Sequence, residues 1–137
     1  MSSDNIREFM ILSEDIKFDN IMAAQRLFQM LNDEGFKVVP KEDPRPSAMD
    51  MFAKQYIDDQ DQLEMLSEKE HRGWLEARKM AGWNKGSRND YFKTHPCFMN
   101  YNDLEPADKE KDRSTIRIIP EFFEHSRFKI IISPNNG

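Results

Sequence analysis

The chain has 137 residues, room for one domain of ordinary size and not for two. A hydrophobic fraction of 38% against 33% charged keeps the core small, yet ten Phe, three Tyr and two Trp supply more packing area than a disordered chain carries, so folding is expected. The net charge of −5 is unevenly spread (seven Lys/Arg against fourteen Asp/Glu in residues 1–66, seven against four in 67–93, six against seven in 94–137), which argues against binding long nucleic acid but leaves a locally basic middle for a small anion.

In chain order, residues 5–12 carry Ile6, Phe9, Met10 and Leu12 and are expected to form a first helix. Residues 18–34 place Phe18, Ile21, Met22, Leu27, Phe28, Met30 and Leu31 on one stripe, with Gly35 where a closing glycine belongs. Phe36 to Val39 reads as a short β-branched strand ended by Pro40. The polar stretch 41–46, with Pro44 and Pro46, cannot be the interior of an element and is expected to divide an arm from a core. The units are then residues 1–46, a helix-strand elaboration, and residues 47–137, the main domain.

After Ser47, residues 49–56 look helical, and a break is expected near residues 58–61. Ser67-Glu68-Lys69-Glu70 has the form of a capping box, predicting a helix that starts there, runs through Met80 and closes at Gly82. Residues 82–102 contain Gly82, Gly86, Pro96 and five aromatics without a sustained period, and form an ordered loop because those rings are too costly to leave in water. Another helix is expected from Asn102 or Asp103, with Pro106 in its first turn, to about Ile119, where Pro120 kinks or ends it. Phe128 to Ile132 is the second strand candidate, and the two strands are expected to pair. The fold class is α+β and predominantly helical.

Several chemistries find no footing. The single Cys97 excludes an internal disulfide and a Cys-rich zinc site, and His71, His95 and His125 lack ligand spacing, so no metal or cofactor is expected. No phosphate-cradling glycine loop, nucleophile elbow or paired-carboxylate site can be assembled, so catalysis is not expected. No apolar run is long enough to cross a bilayer and the N-terminus does not read as a signal peptide, so a cytoplasmic protein without membrane contact is expected.

Glu68, His71, Trp74 and Gly82-Trp83 match a Glu-x-x-His-x-x-Trp pattern followed by Gly-Trp. Thr94-His95-Pro96-Cys97, Tyr101-Asn102-Asp103-Leu104, Lys109 to Arg113 and Ile119-Pro120 follow in order. Over residues 62–123 this resembles the RyR domain, the repeat named for ryanodine receptors and found also as small bacterial and phage proteins. The resemblance implies an antiparallel helix pair with short β-strands beside it, and no catalytic activity. Such repeats occur in pairs, which implies a homodimer for a single-copy chain. Adenine nucleotides occupy one repeat pair in the receptors, so the family-level expectation is a nucleotide or nucleotide-derived signalling ligand.

Read residue by residue, His71, Trp74 and Leu75 fall on one helical face and suit a core, with the imidazole bonded to a loop carbonyl near His95 or Asp103. Trp83, followed by Asn84, Lys85 and Arg88, has the composition that stacks a base and neutralises its phosphate, and Asn84 would help select the base. The alternative is that Trp83 packs the loop and the cations are solvated. Lys79 and Arg78 would extend the positive patch, and Lys93 and His95 would clamp an anion. Arg113 either joins the ligand set or makes a structural salt bridge between helices. The rival to a binding site is a protein-interaction module whose working surface is the acidic N-terminal arm.

Overall fold

A computed structural model describes residues 14–89, 91 and 93–134, with side chains described from residue 23 onward. The helix expected over residues 5–12 lies outside the described residues. Helix α1 (Glu14–Asp33) begins four residues earlier than its apolar stripe predicted and buries Met30 and Leu31. Gly35 follows it at φ 90°, a left-handed conformation that favours glycine, and turns the chain into β1 (Phe36–Pro40).

Strand β1 pairs antiparallel with β4 (Phe128–Ile132), Phe36 opposite Ile132 and Pro40 opposite Phe128, so the two strand candidates are indeed partners. The stretch 41–46 does not detach what precedes it. Lys41 donates its amide to the Arg127 carbonyl at 3.0 Å, and the Lys129 ammonium reaches the Asp43 carbonyl at 2.6 Å and also that of Arg45. Ala48 then donates to the Ile130 carbonyl at 2.8 Å, seating the next helix on β4. The described part of the first 46 residues therefore shares one core with the rest: Met30, Leu31 and Phe36 pack with Phe52, Tyr56, Leu63, Leu66, Ile116, Ile119, Phe123 and Ile130.

Helix α2 (Met49–Phe52) continues into a π-helical turn (Ala53–Ile57), in which the Asp58 amide bonds the Ala53 carbonyl at 2.9 Å. The wider turn places Phe52 and Tyr56 together against Phe36, with ring centroids 5.2 to 6.3 Å apart.

The principal helix, α3 (Gln60–Met80), corrects the capping-box reading. It starts seven residues before Ser67, with Asp59 in extended conformation accepting from the Gln62 amide at 3.1 Å. Ser67 is fully buried in mid-helix and donates its hydroxyl to the Leu63 carbonyl one turn back. Glu70, the other half of the supposed box, is buried and paired with Arg26 of α1 at 3.0 Å.

Beyond the loop, Tyr101–Asp103 makes a 3₁₀ turn and α4 (Pro106–Arg117) starts later than expected. The reason is local: Glu105 precedes a proline and is held extended, at φ −64° and ψ 152°, so helix begins at Pro106 itself. Helix α4 packs on α3. After a break at Ile118 comes α5 (Ile119–Glu124), with Pro120 in its first turn, and then β4. The whole is α+β and predominantly helical, as expected. Among the described residues no helix is long and apolar enough to cross a membrane.

Candidate functional site

The C-terminal end of α3 and the loop that follows bring most of the expected residues together. Two amides close the helix: Gly82, at φ 91°, donates to the Lys79 carbonyl at 3.0 Å and Trp83 to that of Arg78 at 2.9 Å. This paired closure turns Trp83 back over the last turn. The Arg78 guanidinium lies 4.7 Å from the Trp83 ring centroid and 5.6 Å from that of Trp74, one helical turn earlier.

From Trp83 the chain makes a narrow excursion. Short strands β2 (Asn84–Lys85) and β3 (Thr94–His95) pair in parallel, and Asn89 exchanges two backbone bonds with Thr94 at 3.1 and 3.0 Å. Gly86 suits the close approach of these segments, because a Cβ there would sit 3.1 Å from the Thr94 Cβ and Thr94 would have to give by a few tenths of an ångström. Lys93 has φ 55° and its ammonium donates to the Ala81 carbonyl at 2.8 Å, fastening the returning strand to the end of α3.

His95 completes the cluster. Its ring meets Trp74 edge-on at 5.3 Å, and its Nδ1 accepts from the Cys97 amide at 3.0 Å, so the neutral ring carries its proton on Nε2. Burial first, and then the positive charges of Arg88, Arg78 and Lys111, hold its pKa below the ordinary histidine value. Cations from α3, from the loop and from α4 thus raise the potential at one aromatic-lined place, in a chain whose net charge is −5.

The expected residues divide. Trp83 is half-buried beside Arg78, and Asn84, Lys85, Arg88 and Lys79 are exposed. Lys93 belongs to the same loop, but its ammonium closes the helix end. Arg113 lies elsewhere: its guanidinium bonds Glu64 and, at 3.2 Å, Glu110, while the Tyr101 hydroxyl donates to the other Glu64 oxygen at 2.8 Å. That network holds α3, the 3₁₀ turn and α4 together. Burial and the Glu64 carboxylate push the Tyr101 phenol up to about 12. Lys111, read from sequence as part of a solvated helix face, contributes to the field at His95. Nothing in its local sequence announces this, since only the packing of α4 on α3 brings it near.

His71 is buried, as a core stripe predicts, and bonds a loop carbonyl, that of Met99, at 2.6 Å. Met99 lies between His95 and Asp103, the part of the loop where that carbonyl was expected, and the other ring nitrogen faces Asp112 of α4 at 3.2 Å. Cys97 is a poor nucleophile here, because burial and the adjacent Asp108 push its thiol up toward the neutral form. Among the described residues no three His, Cys, Asp or Glu side chains gather as a metal site.

A family model described as the RyR domain matches residues 45–130, well over half of the chain. No curated protein matches it.

Proposed function

We propose a non-catalytic ligand-binding role for this chain, which belongs to the RyR domain family. The ligand is a nucleotide or nucleotide-derived signalling molecule, taken up at the aromatic-cationic cluster after α3. One observation carries the reading: Arg78 stacked against Trp83 and Trp74, with His95 in a field of Arg88, Arg78 and Lys111. A flat aromatic surface next to concentrated positive charge suits a molecule with a planar base and a phosphate. Arg78 covers one face of the Trp83 indole, so a purine stacks on the other, with Lys85 and Arg88 on its phosphates and Asn84 at its base edge. The resemblance to paired repeats extends the proposal to two copies joined as a homodimer in the cytoplasm.

Thermal shift and calorimetry against linear and cyclic nucleotides test this. We expect saturable binding that weakens with salt and recovers the ligand unchanged. Trp83→Ala is expected to weaken it about 5- to 150-fold, the worth of roughly 1–3 kcal/mol of base stacking. Unchanged affinity in a folded Trp83→Ala protein would sink the reading. A second reading, a protein-docking surface, is favoured by Met80 and Tyr91, 91% and 87% exposed at the helix end and loop tip. A flat nucleotide screen followed by capture of a folded partner that Tyr91→Ala abolishes would decide for it.

A further inference from the structure

His71 lies 3% exposed between three elements, with both ring nitrogens against oxygen. Nε2 is 2.6 Å from the Met99 carbonyl and Nδ1 is 3.2 Å from the Asp112 carboxylate. A carbonyl and a carboxylate only accept, whereas a neutral imidazole has one N–H to give. The neutral ring would therefore aim a lone pair at an oxygen in a place closed to water, a costly arrangement. The imidazolium satisfies both contacts.

We infer that His71 is held doubly protonated as a clasp joining α3 to α4 and to the loop that carries Met99, and that loss of its proton as pH rises loosens this junction. The charged and titratable surroundings agree. From α3 itself come Glu68 and the buried Glu70, the latter partly offset by Arg26 of α1. From α4 comes Asp112. From the connecting segment come the Tyr101 ring, 6.3 Å away, and the Cys97 thiol, which itself senses Asp112. Burial pulls the His71 pKa down, but the Asp112 carboxylate, the Met99 carbonyl and Glu68 together carry it above the usual value of 6.5. The ring also stacks on Trp74 at 5.6 Å, and Trp74 touches His95, so the clasp braces the wall of the aromatic-cationic cluster.

A histidine whose pKa is raised by folding stabilises the protein fully below the unfolded pKa, and that contribution fades as pH climbs through the folded one. Nitrogen-detected NMR of the full chain across pH 5 to 9 reads the proton directly. We expect both His71 nitrogens to be protonated at pH 6 and the ring to titrate above about 6.5, with His95 below that value as an internal contrast. In parallel, urea unfolding should show the unfolding constant rising with pH through the His71 titration, by at most roughly tenfold per pH unit for one proton. Asp112→Asn offers Nδ1 an amide donor and so suits the neutral ring. It is expected to lower the His71 titration and remove that pH slope. His71 titrating at or below about 6.5 in the unaltered protein overturns the inference, whether or not the variant folds. So does a folded Asp112→Asn protein that keeps the slope.

Discussion

Arg26 reaches from α1 across the surface of α3 to Glu70, and the position it crosses is Gly73. A Cβ at Gly73 would lie 2.8 Å from the Arg26 Cδ, in the middle of the side-chain stem, so the arginine could not keep its course. Two effects oppose each other in Gly73→Ala. Alanine gains about 1 kcal/mol of helix propensity, but displacing Arg26 leaves Glu70 buried without its cation, a loss of about 3–5 kcal/mol when complete. Glu70 already has its pKa raised, because burial outweighs Arg26, so the carboxylate has little to spare. We expect Gly73→Ala to destabilise by about 2 kcal/mol in urea unfolding, the partial exposure of Arg26 moderating the loss. A gain of about 1 kcal/mol would mean that the stem moves aside and the pair survives. The residue types involved are visible in the sequence. Their pairing is not, because the partners stand 44 positions apart and only the crossing of two helices joins them.

At the scale of elements, two residues compete to start α3, and they make opposite predictions. Ser67 with Glu70 has the form of a cap, but Leu63 and Leu66 already continue the buried stripe upstream of it, and Asp59 closes the helix start. Asp59→Ala is expected to cost about 1 kcal/mol, the usual worth of an N-terminal cap. Ser67→Ala is expected to change stability by less than about 0.5 kcal/mol: the Leu63 carbonyl keeps its helical partner, and alanine favours helix more than serine does. Thermal unfolding of the two variants side by side checks the pair, and a larger loss for Ser67→Ala would restore the cap to Ser67. Strands β1 and β4 and the glycine stops at Gly35 and Gly82 were legible because they depend on nearest neighbours, whereas β2 and β3, two residues each, fall in the stretch read as a loop because they exist only through their pairing. The helix start was not, because several nearby residues had capping chemistry and the choice among them lay with the core. The candidate site was half legible in the same sense. Trp83 and its cations stand together in the chain, whereas His95, Lys111 and Trp74 meet only through α4 and the returning strand.

For the whole molecule, the match to the RyR domain begins at residue 45, but the physical core does not. Strand β1 lies before that point and is the sole described partner of β4, while Leu31 and Phe36, 0% and 3% exposed, pack against Phe52 and Tyr56 beyond it. A fragment of residues 47–137 would expose Ile130, Phe52 and Phe123 along the face those side chains cover. We therefore expect that fragment to lack a cooperative thermal transition and to bind a hydrophobic dye, while the full chain melts sharply. Phe36→Ala separates packing from chain length, because it opens the same face within an intact chain at an expected cost of about 3–5 kcal/mol. A fragment melting like the full chain, together with a mild Phe36→Ala, would show that the first 46 residues are an appendage. The expected outcome bears on function as well. Removing the N-terminal segment would abolish ligand binding and partner capture alike by unfolding the domain, so the two readings have to be separated by surface substitutions at Trp83 and Tyr91.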